Sequence, residues 1–318
     1  MSILPHVSAS VQSLAVASQV DLLSAYLAGR KATTLRAYEA DLADFASFLG
    51  MGFSRDAVNR LVELSHGEAN GVTLAYRAHL TERGLSSATI ARRLAALRSV
   101  VKLARTLGLV SWTLEVESPK AEAYRDTRGP GDDGWKAMLS TAKREAETGE
   151  AKAVRDLALI RLLHDLGLRR GEVVALDLAD VDLERGTVTI IGKGKTAGEL
   201  LSLPEGTARA LADWIQVRGE APGPLFVRLD RAAKEASRVT DTAVYQIVQA
   251  LGQRAGLNHA VRPHGLRHQA ITSALDKTNG DIRSVQQFSR HADPRTILRY
   301  DDRRRDVAGS IARMIAED

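Results

Sequence analysis

A mainly α-helical chain of two domains, with one small β-sheet, is what this sequence predicts. Three features carry that prediction. Apolar residues recur at steps of three and four from about residue 20 to 110, and helical runs return beyond 135. Between them, Pro119, Gly129, Pro130, Gly131 and Gly134 break any periodic pattern. Strand-like composition is confined to two short runs, GTVTIIG (186–192) and ELLSLP (199–204). At 318 residues and 44% hydrophobic, the chain can supply a core for each of two domains.

Residues 1–16 carry little charge and no clear period, and read as a loose tail. A helical domain is expected over 17–110. In TTLRAYEADLADFASFL (33–49), Leu35, Tyr38, Leu42, Phe45 and Leu49 share a face, with Thr33 or Thr34 as N-cap. Similar patterns follow in AVNRLVEL (57–64) and VTLAYRAHLTERG (72–84). The helix over 85–109 opens at Ser86 or Ser87 and closes at Gly108, with Ile90, Leu94, Leu97, Val101 and Leu107 as its apolar face. Its other face holds Arg92, Arg93, Arg98, Lys102 and Arg105, with no acidic residue between Ser86 and Val110. Charged faces are commonly just solvated, but such faces mix both signs to form pairs four residues apart. Five cations without an acid point to phosphate binding.

Residues 111–134 read as an interdomain linker, and 135–318 as the second domain. AVRDLALIRLLHDLGL (153–168) is apolar nearly all round and predicts a buried helix. The two strand-like runs, separated by Lys- and Gly-rich residues, predict a hairpin. Helices resume at 207–218 and 241–255, and DVAGSIARMIAED (306–318) can form a short amphipathic helix with Val307, Ile311, Met314 and Ile315 on one face.

Composition narrows the chemistry. There is no cysteine, which excludes disulfides, Cys-ligated zinc and thiol nucleophiles. No Lys or Arg precedes Arg30, and no apolar run approaches the roughly 20 residues of a membrane helix. An intracellular, cytoplasmic protein is the expectation. The net charge of +5 is mildly basic, and aromatics are only 4%. A duplex gripped through its phosphates suits that balance better than unpaired bases stacked on rings.

The chemistry-bearing residues lie in the second domain. GLRRGE (167–172) ends the buried helix, where Arg169 is either a structural ion pair with Glu172 or an arginine oriented by it toward a phosphate. GKGKTAG (192–198) puts Lys193 and Lys195 on the hairpin tip; such a tip is commonly plain turn chemistry, yet a lysine there can donate a proton to a leaving group. It is not a phosphate-binding P-loop. In HGLRH (264–268), His264 and Arg267 are one helical turn apart; His268 reads as a hydrogen-bonded core residue rather than a metal ligand. RHADPRTILRY (290–300) adds His291 and Tyr300, a tyrosine near the end of a basic chain.

Arg169 in HDLGLRRGEVVAL, Lys193 in the GKGK hairpin, HGLRH and RHADPRTILRY, in that order, resemble the tyrosine recombinases, or phage integrases. TLRAYEADLADFASFL and SATIARRLAALRSVVK are similar to that family's helical core-binding domain, and the second domain to its mixed α/β catalytic domain. The resemblance implies a site-specific recombinase that cuts and rejoins duplex DNA. It implies Tyr300 as nucleophile in a 3′-phosphotyrosyl link and Arg169 and Arg267 as ligands of the scissile phosphate. Lys193 would be the acid toward the departing 5′-hydroxyl, with Lys195 as second candidate. His264 would be acid/base or phosphate ligand, His291 a phosphate contact, and Glu172 the support of Arg169. It further implies two domains closing around DNA as a C-shaped clamp and no metal or cofactor. The working assembly would be a homo-tetramer on two duplexes, monomeric off DNA, with the C-terminal helix docked on a neighbour or folded back in cis.

The sequence departs from the family pattern twice. Arg290 stands where a glycine is usual, which bears on the local turn and makes it a candidate DNA contact. Gln269 stands where threonine or serine is frequent. Two rivals are a type IB topoisomerase, disfavoured by the recombinase-like first domain, and a catalytically silent DNA-binding protein, disfavoured by the complete set of reacting groups.

Overall fold

The structure is a computed structural model and describes residues 21–30, 32–119, 129–192, 197–229, 237–301 and 314–316. The chain divides into two compact units at Arg125/Asp126.

The first unit is helical. It comprises α1 (Leu22–Leu27), α2 (Ala32–Phe48), α3 (Ser54–Glu63), α4 (His66–Glu82) and α5 (Ser87–Thr106). Local chemistry sets the ends. The Ser65 N–H donates to Glu68 Oε2 at 2.9 Å, closing a capping box at the start of α4. Ser86 caps α5 by accepting the Thr89 N–H at 3.3 Å. Thr33 and Thr34, expected as caps, fall inside the first turn of α2 instead. Leu42, Phe45, Tyr76, Leu80, Leu94, Leu97 and Val101 form the core. Leu107 does not join them: it caps the C-terminus of α5 and is 37% exposed.

Within the expected linker, the structure assigns both ends to the units. Leu114 and Val116 are buried in the first unit's core, and α6 (Gly131–Ala146) already begins at Gly131. Glycine and proline breaks obscure both in the sequence, because burial there depends on partners far along the chain.

The second unit continues with α7 (Ala151–Asp165), α8 (Arg170–Ala175), a 3-10 turn at Leu178–Asp180, β1 (Val181–Asp182), β2 (Thr187–Ile191) and β3 (Gly198–Ser202). Then come α9 (Glu205–Arg218), α10 (Asp241–Arg254), α11 (Pro263–Lys277), α12 (Ile282–Ser289) and α13 (Arg295–Asp301). The strands form an antiparallel sheet in the order β1-β2-β3, with Val188 opposite Leu201 and Ile191 opposite Gly198. The predicted hairpin is β2–β3; β1, two residues long, is too short to leave a pattern. As its composition predicts, α7 is buried on most sides, through Val154, Leu157, Ala158, Leu159, Ile160, Leu162 and Leu163. Such a helix makes a rigid floor, and the chain leaving it at Gly167 starts from a fixed point. Among the described residues no helix is long and apolar enough to cross a membrane.

Candidate active site

The floor of the site is built where α7 ends. Gly167 has φ +54, a left-handed conformation that glycine adopts without strain. A Cβ there would also sit 3.4 Å from the Phe288 ring. The turn leaves the Gly167 carbonyl pointing at Arg267 on α11. The Arg267 Nη1 donates to that carbonyl, and its Nη2 donates to the carbonyl of Ser289 at the end of α12. Arg267 is 1% exposed, so its charge is held by backbone dipoles from two separate turns. Its side chain is thereby fixed by two peptide groups more than twenty residues away on either side.

Arg169 is the N-cap of α8. Glu172, three residues on, accepts the Arg169 backbone N–H at 2.8 Å through Oε2 and the Arg169 guanidinium at 2.6 Å through Oε1. The Glu172 side chain is 4% exposed and that of Arg169 33%, so a buried carboxylate steers a guanidinium that still reaches solvent. Burial pushes the Glu172 carboxyl up, but the Arg169 N–H and guanidinium and the charge of Arg290 outweigh it and leave the carboxyl below its ordinary value. Arg169 also donates from Nη2 to the Arg290 carbonyl at 3.3 Å.

His291 completes the convergence. Its Nε2 lies 3.4 Å from Arg267 Nη2, and its Nδ1 is 2.9 Å from Ser289 Oγ. An arginine only donates, so Nε2 is the acceptor and Nδ1 carries the proton toward Ser289. The Ser289 hydroxyl in turn donates to the Gln286 carbonyl at 3.3 Å. Burial first, then the charges of Arg267, Arg169, His264 and Arg290, lower the His291 pKa to about 4. Its imidazole is therefore neutral at neutral pH. Arg169, Arg290 and His291 line one cavity of about 470 Å³, together with Gly192, Glu199, Gln286, Gln287 and Ala292.

The remaining predicted residues divide. His264 is exposed on the first turn of α11, near enough to act on His291 electrostatically. Lys193 and Lys195 lie outside the described residues, but Gly192, next to Lys193, borders the cavity. Tyr300 lies on α13, a helix fixed by Ile297, which is 0% exposed in a cluster with Ile271, Leu275 and Val285. His268 is partly buried, with Nδ1 3.4 Å from Thr272 Oγ1. No group of three or more metal-ligating side chains occurs among the described residues.

Residues 133–306 match the phage integrase family, and residues 20–106 match its N-terminal SAM-like domain. A tyrosine recombinase of Synechococcus elongatus is 38% identical over 293 residues, covering 91% of this chain and 90% of that relative. The chain belongs to the phage integrase family. A tyrosine recombinase of Synechocystis is 37% identical, with 91% and 92% covered. The fold of this integrase-family chain matches that of the XerH site-specific recombinase bound to palindromic difH substrate in a post-cleavage complex. That TM-score is 0.66, with 21% identity and 88% and 80% covered. It also matches a lambda integrase dimer bound to a COC′ core site (TM-score 0.63, 13% identity, 96% and 83% covered).

Two departures from the integrase pattern have structural explanations. Gln269 is buried and donates from Nε2 to Asp132 Oδ1 at 2.6 Å, tying α11 to the start of α6. The segment before α6 runs so close that a Cβ on Gly129 would meet the Gly265 carbonyl at 2.5 Å. Arg290, expected as a possible DNA contact, is instead turned inward with its side chain 5% exposed.

The basic face of α5 differs from the expectation of unpaired cations. It has acidic partners, supplied by α2 rather than by its own sequence. Arg92 pairs with Asp41 and Arg93 with Asp44, while Arg98 donates to the Val116 carbonyl at 2.7 Å and Ser118 Oγ at 2.9 Å. Arg93 also faces Asp41 at 3.7 Å. Lys102 and Arg105 stay exposed, as does part of Arg92.

Proposed function

We propose that this integrase-family chain cleaves and rejoins duplex DNA at a specific site through a covalent tyrosyl intermediate. The observation that carries the reading is that Arg169, at the start of α8, and His291, in the turn after α12, line one cavity, with Arg267 of α11 in contact with His291, each held by contacts made before any ligand arrives. Two preorganised guanidiniums beside a neutral imidazole suit a phosphodiester, whose nonbridging oxygens gain charge in the transition state.

In this reading the Tyr300 phenol oxygen attacks the scissile phosphorus and the bond to the 5′-oxygen breaks, giving a 3′-phosphotyrosyl link and a free 5′-hydroxyl. Lys193 gives its proton to the departing oxygen, with Lys195 as the alternative acid on the same tip. His264, exposed and close to His291, takes the phenol proton. Arg169 and Arg267 bind the phosphate, and neutral His291 contacts it by hydrogen bonding rather than by charge. Rejoining is the reverse, and the phosphotyrosyl bond conserves the energy for it. Lys102, Arg105 and the exposed part of Arg92 contact the DNA backbone. The first unit, expected over 17–110 and extended by Leu114 and Val116, acts as the core-binding domain, and the second, from α6 onward, as the catalytic domain. The assembly is a homo-tetramer on two duplexes; the exposure of Met314 (68%) and Ile315 (70%) supports docking of the terminal segment on a neighbouring copy.

The test uses a nicked suicide duplex carrying a site selected from randomised DNA. Wild type is expected to form a covalent adduct on a denaturing gel, and Tyr300→Phe none. No adduct with wild type would sink the reading, and an adduct with Tyr300→Phe would sink the nucleophile assignment. Relaxation of any supercoiled plasmid without a specific site would favour a topoisomerase.

A further inference from the structure

Arg290 stands at the C-cap of α12 with φ +55, a left-handed conformation that side chains other than glycine rarely adopt. Its side chain is 5% exposed, and its Nε is buried without a hydrogen-bond partner. It also lies near a second cation, Arg169, whose guanidinium donates to the Arg290 carbonyl. A strained turn, an unsatisfied donor and a neighbouring like charge are all unfavourable, and such features concentrate where function requires them.

The contacts indicate what is gained. Arg290 Nη2 lies 3.1 Å from Glu172 Oε2 and 3.4 Å from the Gly167 carbonyl. Nη1 donates to the Leu166 carbonyl at 3.2 Å and the Phe288 carbonyl at 3.3 Å. Glu172 is the carboxylate that steers Arg169, and the Gly167 carbonyl is one of the two that hold Arg267. One buried guanidinium therefore touches the supports of both arginines. Arg169 and Glu172 alone sum to zero, and a neutral pair attracts a phosphate weakly. Adding Arg290 restores one positive charge behind the pair, in a site of low dielectric where that charge is little screened.

We propose that Arg290 is a positioning residue for cleavage: it offsets Glu172, so that Arg169 is oriented by a carboxylate without losing its attraction for the scissile phosphate. The inference rests on the function proposed above. It differs from a DNA contact, because Arg290 acts through Glu172 and not by touching the backbone.

The experiment measures single-turnover adduct formation on the nicked duplex at saturating protein. DNA affinity is measured separately in a Tyr300→Phe background. Arg290→Gly relieves the left-handed turn but deprives buried Glu172 of one cation, so its melting temperature is expected to fall and cleavage is measured well below it. Its cleavage is expected to fall about tenfold or more, the scale of one charge-assisted contact, with affinity within about twofold. Arg290→Lys, which keeps the charge, recovers most of the rate. In a Glu172→Gln background, where no carboxylate needs offsetting, Arg290→Gly costs less than about twofold further. Wild-type cleavage by Arg290→Gly overturns the proposal. So does a loss confined to affinity, a lysine variant as slow as the glycine one, or an equal loss in both backgrounds. A wild-type chain that forms no adduct on the same gel refutes the recombinase reading instead.

Discussion

At His291 the site sets a proton equilibrium as well as a geometry. Its pKa is lowered to about 4, first by burial and then by the arginines around it. In the unfolded chain the imidazole titrates near 6.5, so between those values the unfolded state binds a proton that the folded state refuses. Stability from this group is present in full above about 6.5 and is lost as pH falls toward 4. The loss has an upper bound of roughly 3 kcal/mol. Urea unfolding of wild type and His291→Gln across that range should show the wild type losing more stability toward the acid end; parallel curves would refute the neutral assignment. Glu172 adds in the same direction, since its carboxyl is held below its ordinary value and its share is lost when acid protonates it. The residue types at the site were legible in the sequence, because arginine, histidine and tyrosine at motif spacing carry the chemistry themselves. The inward turn of Arg290 was not, since its partner Glu172 lies 118 residues earlier.

The short helix α13 carries Tyr300, and Ile297 anchors that helix. That side chain is fully buried against Ile271 and Leu275 of α11 and Val285 of α12. Ile297→Ala removes three carbons from a small cluster and is expected to cost about 2–4 kcal/mol locally. Hydrogen exchange over 295–301 should accelerate, and adduct formation should slow, with the large core around α7 unchanged. Unaltered exchange there would mean that α13 is held by something else. Periodicity located α5, α7, α9 and α10, because each is long enough to display its apolar face. It did not locate β1, two residues long, nor the true ends of the 111–134 break, where burial of Leu114 and Val116 depends on distant helices.

Over the whole molecule, charge must be counted in pairs rather than by residue. Asp41 is 2% exposed and burial is the main influence on its carboxyl, which is raised above its ordinary value although Arg92 and Arg93 oppose this. Arg93→Ala leaves the buried acids short of a partner and is expected to destabilise the first unit by about 2–4 kcal/mol. Lys102→Ala with Arg105→Ala is expected to leave stability within about 0.5 kcal/mol. It should instead reduce the salt dependence of DNA binding by about 0.9 in log–log slope for each lost phosphate contact. Titrations at several salt concentrations distinguish the two outcomes, and an unchanged slope would return α5 to ordinary surface.

By itself the sequence determined the helical character of both units, the hairpin, and the ordered set from Arg169 to Tyr300 that marks a phage integrase. These are encoded locally, in apolar period and in residue type. Only the tertiary structure decided which cations remain available, and that Arg290 stands behind Arg169 instead of in solvent. Those outcomes depend on pairings such as Arg93 with Asp44 and Arg290 with Glu172, which join positions 49 and 118 residues apart. Pairing at such a distance is created by packing, and no period along the chain records it.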